Sequence, residues 1–308
     1  MKKYYNNVSL HSRFVNFSFR FTDAKKNYST EDNIKKFIKH YQQIKTNYKE
    51  YDKCNLVKSN ISGNDVYYFN GSNSEIKDKI IIYIHGGSFV EEAISYQIKF
   101  AQKIAIKTNS TLIIPRYKLI PDGNYKKMYE LISEIYENIK HTNREINFLG
   151  DSSGGGFILS YAMYLRDKKD ILPKNILMLS PWIDLSMENE KLKESEKLDS
   201  MSGIDGNKYC GKLWADDLSV IDPKISPIYG DLTGLPKLTI ATGSYDILKP
   251  DCLRLCELLD KNSIDYNYIE YKNQGHDFGM YPTKEGNLLA DDFSNIINLV
   301  EDNSDGRK

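Results

Sequence analysis

The residues Gly150-Asp151-Ser152-Ser153-Gly154 satisfy G-x-S-x-G at every fixed position, between the apolar run EINFLG (145–150) and a helix-like stretch over about 154–167. A serine at the tip of such a strand–turn–helix is exposed above a sheet. The small residues on either side let strand and helix pass without collision. The chemistry this suggests is nucleophilic attack by the Ser152 oxygen. A phosphate cradle uses a similar shape, but no lysine follows the last glycine, and neither G-x-x-x-x-G-K-[ST] nor G-x-G-x-x-G is present.

A serine is a weak nucleophile alone and needs a base, an acid to orient that base, and donors for the developing oxyanion. Five histidines are available: His11, His40, His85, His141 and His276. His11 and His40 fall in an N-terminal segment, His141 closes a helix, and His85 belongs to a glycine loop. His276, in NQGHDFGMY, follows the strand-like run YNYIEY (266–271), where sites form in open α/β sheets. With triad order Ser, acid, His, the acid lies between 152 and 276. Asp246 in ATGSYDILKPD comes directly after the run KLTIATG (237–243). The alternative, Asp251, falls in the first turn of the next helix, where an acid complements the helix dipole. Asp246 is expected to accept Nδ1–H of His276 and hold its tautomer.

The donors are expected from His85-Gly86-Gly87-Ser88-Phe89, at the end of KIIIYIH (79–85). Glycine lets backbone amides come close to a substrate oxygen. The N–H groups of Gly87 and Ser88 are the expected oxyanion donors, with Gly86 shaping the loop and Ser153 as third donor at a helix N-terminus. An ordinary glycine turn is the bland reading of this loop.

These residues need a scaffold, and the chain supplies one. Seven short β-branched runs (65–69, 79–85, 111–117, 145–150, 175–180, 237–243, 266–271) alternate with amphipathic stretches at 92–108, 125–140, from Pro250, and at 287–301. The later runs are nearly continuous in apolar character, as strands covered on both faces are. The order predicts an α/β fold with a mostly parallel sheet. Two segments interrupt it. Residues 1–50 hold an amphipathic helix capped by Ser29 or Thr30, with Ile34, Phe37, Ile38, Tyr41, Ile44 and Tyr48 as its stripe. Phe17, Phe19 and Phe21 alternate as a short strand would. Residues 187–224 are polar and charged, with Trp214 among them. Each is either a lid or a peripheral helical segment.

The 308 residues carry 42 basic and 42 acidic side chains, a balance that recruits neither nucleic acid nor an anionic membrane. No apolar run has the length of a membrane span or of a signal-peptide core. Cys54, Cys210, Cys252 and Cys256 form no C-x-x-C pair. Cys252 and Cys256, at helical spacing, read as buried thiols of a reducing compartment and not as half a metal site, so the expectation is a cytoplasmic protein without metal or cofactor.

HGGSF, YKLIPD, GDSSGG, SPWIDLS, SPIYGDLTGLPKL, GSYDIL and QGHDF occur in an order that resembles the hormone-sensitive-lipase-like carboxylesterases of the α/β-hydrolase superfamily, over roughly residues 65–300. The resemblance implies an eight-stranded sheet with helices on both faces. It implies a core of 51–186 and 225–308, and a helical cap from 1–50 and 187–224. It further implies that Trp214, Phe89 and Asp151 line the substrate pocket, and that small esters with short acyl chains are cleaved without a cofactor. Ser88 in place of the third glycine and Ser153 in place of the commoner alanine are departures. A deacetylase or amidase would use the same residues; a non-catalytic binding protein on this fold would have lost part of the triad. The sequence leaves monomer and homodimer both open.

Overall fold

The computed structural model describes residues 1–44, 49–70 and 77–299. Its centre is one nine-stranded sheet, in spatial order β1-β9-β8-β7-β6-β4-β5-β3-β2. The strands are β1 (Lys2–Tyr5), β2 (Val57–Ile61), β3 (Asn64–Phe69), β4 (Lys79–Ile84), β5 (Ser110–Pro115), β6 (Glu145–Asp151), β7 (Asn175–Leu179), β8 (Lys237–Gly243) and β9 (Tyr266–Tyr271). The pairings of β3 with β2 and with β5 are antiparallel, and the others are parallel. All seven strand-like runs of the sequence are present. Strands β4 to β9 are buried almost throughout because helices cover both faces, which is why they read as unbroken apolar runs.

The sheet has one strand more than the eight implied by the resemblance. The extra edge strand is β1, parallel to β9 with Tyr5 opposite Tyr271. Its sequence, KKYY, carries no apolar alternation. It is held by main-chain pairing, by Tyr5 stacked on Tyr271 at 4.3 Å, and by ion pairs from Lys2 to Asp260 and Lys3 to Asp292. The N-terminal segment therefore contributes to the sheet as well as to what lies above it.

The helices are α1 (Leu10–Ser18), α2 (Ala24–Tyr28), α3 (Glu31–Ile44), α4 (Ser95–Thr108), α5 (Tyr125–Ile139), α6 (Ser152–Asp167), α7 (Leu192–Leu198), α8 (Ile204–Ala215), α9 (Lys249–Lys261) and α10 (Lys284–Asn298). Thr30 Oγ1 accepts the Asn33 N–H, so of the two expected caps for α3, Thr30 closes its first turn. Tyr48 and the Ile44 side chain, expected on its stripe, lie outside the described residues. The Phe17-Phe19-Phe21 alternation is not a strand. Ser9 caps α1 by accepting the Ser12 N–H, and Phe19–Phe21 form a 3-10 turn. Phe17 and Phe21 also fall at helical spacing with Leu10 and Phe14, and the cap decides between the two periods.

Helices α2 and α3 pack against α8, bringing residues 24–44 and 204–215 together. The approach is close: a Cβ on Gly203 or Gly206 would stand 2.5 Å from the Tyr28 carbonyl oxygen.

Candidate active site

Strand β6 ends at Asp151, and Ser152 opens α6 with φ +48°, a left-handed conformation that costs a residue with a Cβ on the order of 1–3 kcal/mol. The crossing behind it leaves no room. A Cβ on Gly154 would lie 2.1 Å from the Ile84 carbonyl oxygen, in backbone that cannot swing aside. Gly154→Ala is accordingly expected to lose about 3 kcal/mol or more of stability, read as a lowered urea midpoint.

The three side chains singled out from their order along the chain meet. His276 Nε2 is 2.9 Å from Ser152 Oγ, and His276 Nδ1 is 3.0 Å from Asp246 Oδ1. Asp246 is fully buried; its Oδ1 also accepts the Leu248 N–H at 2.9 Å, and its Oδ2 the Thr242 hydroxyl at 3.1 Å. Asp251 instead faces Asn189 from within α9, and is not part of this chain of bonds. His11, His40 and His141 are exposed. His85 is buried with its ring stacked on Tyr117 at 4.5 Å, a packing role.

Asp151 does something the sequence reading did not foresee. Its Oδ2 accepts the Gly86 N–H at 3.0 Å and the Gln97 amide at 2.7 Å, and its Oδ1 accepts the Tyr83 hydroxyl. The carboxylate thus pins the glycine loop to the nucleophile turn. The Gly86 N–H is consumed in the process, so Gly86 shapes the loop and is not a free donor. A Cβ there would stand 2.7 Å from that of Ser152. Among the described residues, no protein acceptor takes the N–H of Gly87 or Ser88. Gly87 has φ +110° and Ser88 φ +51°, and the Ser88 hydroxyl donates to Asn207 Oδ1 on α8. That bond holds the serine in a conformation a glycine would adopt without strain. Ser153 is fully buried at the first turn of α6, where the helix dipole favours negative charge.

Phe89 and Trp214, expected in the substrate pocket, stack face to face at 3.9 Å, each no more than 2% exposed, and do not line the cavity at Ser152. Their contact fastens α8 onto the glycine loop. The cavity itself, about 170 Å³, is lined by Ser152, Gly87, Ser88, Tyr28, Glu91 and Met201 among others, so residues from both interrupting segments enclose it.

Two buried carboxylates near the histidine escaped the sequence reading. Asp277 Oδ2 lies 3.3 Å from His276 Nε2, the nitrogen that also faces Ser152. Asp199, from the 187–224 segment, accepts the Ile247 N–H beside Asp246. Burial opposes a charged imidazolium, but the charges of Asp277 and Asp246 more than offset it, and the His276 pKa is pushed up to about 10. Burial likewise pushes the Asp277 carboxyl well above the usual range, against the pull of His276. Asp246, despite its burial, is held below the usual range by His276. Among the described residues no cluster of His, Cys, Asp and Glu could hold a metal ion, and all four cysteines are free and buried.

A sharp turn presenting a serine, with a histidine and an aspartate from later strand ends on one parallel sheet, is the architecture of an α/β-hydrolase. A family model described as alpha/beta hydrolase fold matches residues 81–280. The chain belongs to that family. It is similar to an esterase of Acinetobacter venetianus, 26% identical over 207 residues that cover 66% of this chain and 68% of the relative. It is also similar to a triacylglycerol lipase of Mycobacterium tuberculosis, 27% identical over 64% of this chain but only 41% of that longer protein. In fold it is similar to the crystal structure of an esterase from the bacterial hormone-sensitive lipase family, with TM-score 0.78 at 20% identity over 94% of this chain and 98% of the other.

Proposed function

We propose that the chain is a serine hydrolase cleaving small carboxylic esters through an acyl-enzyme, with Ser152 as nucleophile, His276 as general base and Asp246 as orienting acid. The observation that carries this reading is the continuous run of hydrogen bonds from Ser152 Oγ through His276 to Asp246. Ser152 adds to the ester carbonyl while His276 Nε2 takes its proton. The N–H groups of Gly87, Ser88 and Ser153 hold the oxyanion. His276 then protonates the departing alcohol, and water, activated by the same nitrogen, releases the acid. The names of the relatives, esterase and triacylglycerol lipase, support an ester as the substrate. The small cavity favours short acyl chains, since drug-sized ligands occupy clefts of ~300–1,000 Å³. Residues 24–44 and 187–224 act as its cap. Free, buried thiols fit a reducing compartment, and we place the protein in the cytoplasm. No helix among the described residues is long and apolar enough to cross a membrane.

A chain-length series of p-nitrophenyl esters beside the matching anilides tests this. Turnover highest with acetate to butyrate, and far slower with anilides, is expected. Anilide cleavage at comparable rates would replace the esterase reading with an amidase one, and no turnover of either would favour a binding protein.

The Asp277–His276 pair fixes the pH dependence. Only neutral His276 accepts the serine proton, and a raised pKa delays that form to higher pH. The kcat/KM profile should therefore rise with an inflection above the ordinary histidine value of ~6.5. Removing one of the carboxylates that raise it, in Asp277→Asn, should move the inflection toward lower pH. An inflection that stays in place would deny Asp277 this influence.

A further inference from the structure

The formal charges cancel over the whole chain but not locally. The first 22 residues hold Lys2, Lys3, Arg13 and Arg20 and no Asp or Glu. Lys2 and Lys3 are neutralised by Asp260 and Asp292. Arg13 and Arg20 form no ion pair among the described residues, and both are exposed. They flank an unusual surface. Leu10, Phe14, Phe17 and Phe21 follow helical spacing and are 81%, 69%, 54% and 77% exposed. Single exposed apolar residues need no account, whereas a contiguous stripe of four large ones does.

The opposite face of α1 is fixed by polar bonds. Ser12 Oγ donates to Gln274 Oε1 at 2.6 Å, and Asn16 Nδ2 to the Asn273 carbonyl at 2.9 Å. The helix is thus held with its apolar side outward. Beside it lies a second cavity of about 400 Å³, whose lining joins Arg13 and Arg20 to Phe17, Leu198 and Tyr245. Cationic heads next to apolar walls match an anionic headgroup and the first part of its acyl chains.

We propose that α1 and the turn after it form a docking face for anionic phospholipid, with Leu10, Phe14, Phe17 and Phe21 entering the interface and Arg13 and Arg20 meeting the headgroups. An interfacial helix has this composition. A second copy of the chain is the competing occupant, but a twofold contact would press Arg13 and Arg20 against their own counterparts with no carboxylate from residues 1–22 between them. The net charge of zero, which argues against attraction to a membrane, averages this asymmetry away. The face lies next to the catalytic loop, since Gln274 is two residues from His276.

Co-sedimentation with phosphatidylserine-rich vesicles, against pure phosphatidylcholine vesicles, tests the proposal. The full chain should bind the former and lose about tenfold or more of its partitioning in Phe14→Ser/Phe17→Ser and in Arg13→Glu/Arg20→Glu. Both variants change exposed side chains outside the catalytic chain of bonds, so their hydrolysis of soluble p-nitrophenyl acetate should match that of the unaltered protein. Absence of binding to phosphatidylserine vesicles would overturn the proposal, as would equal binding by the variants. A dimer in sedimentation velocity that Phe14→Ser/Phe17→Ser dissociates would assign the face to a second copy instead. The binding readout is independent of whether esters are cleaved.

Discussion

Ser152→Ala is expected to lower kcat toward p-nitrophenyl acetate by about 10⁶-fold, the scale reached when a triad loses its nucleophile. The substitution removes the atom that bonds to the carbonyl carbon, and no neighbouring group takes its place. Ser153, the adjacent hydroxyl, is fully buried in the first turn of α6. The fold should survive, because the Ser152 side chain makes one hydrogen bond and the backbone bond from Trp182 N–H to the Ser152 carbonyl is unaffected. An unchanged circular dichroism spectrum and melting temperature beside the lost rate would separate chemistry from unfolding. A loss of under about 10²-fold would mean that some other group attacks.

The second large effect is at Asp246, where alanine is expected to cost about 3 × 10⁴-fold in kcat. Removing the carboxylate frees the imidazole to take the wrong tautomer and leaves the imidazolium without its partner. Asparagine should cost less than alanine at this position. The Leu248 N–H, 2.9 Å from Oδ1, needs an oxygen there, and the Thr242 hydroxyl, 3.1 Å from Oδ2, is able to accept from an amide. The amide oxygen is therefore kept on the histidine side, the tautomer is preserved, and only the negative charge is lost. Steady-state kinetics on the two variants check the order; asparagine equal to or worse than alanine would show that the pair of backbone and threonine bonds does not set the orientation.

Much of the candidate site was legible in the sequence, because parallel strands place their C-terminal ends on one side. Ser152, Asp246 and His276 each directly follow an apolar run, so topology alone brings them to one rim. What stayed hidden depends on distances between segments far apart in the chain. Asp151 reads as a pocket residue, and only the fold reveals it reaching across to the Gly86 amide. Asp277 is one letter in QGHDF until its turn, at φ +53°, sets its carboxylate beside Nε2. Trp214 resembles a pocket aromatic because large aromatics serve both packing and binding; its face is already taken by Phe89. Strand β1 was invisible because KKYY is stabilised by its partner strand and by distant acids, which no local pattern records. Phe17 and Phe21 satisfy two periods at once, and the Ser9 cap that chooses the helical one is a single hydrogen bond.

The central claim is that the oxygen at 152 is the attacking atom, prepared by His276. Treating the intact protein and Ser152→Ala with a fluorophosphonate, followed by peptide mass mapping, tests this most directly. One adduct on the peptide containing Ser152, absent from the alanine variant, is the predicted result. An adduct that persists in the variant, or that maps to any other residue in the intact protein, contradicts the account.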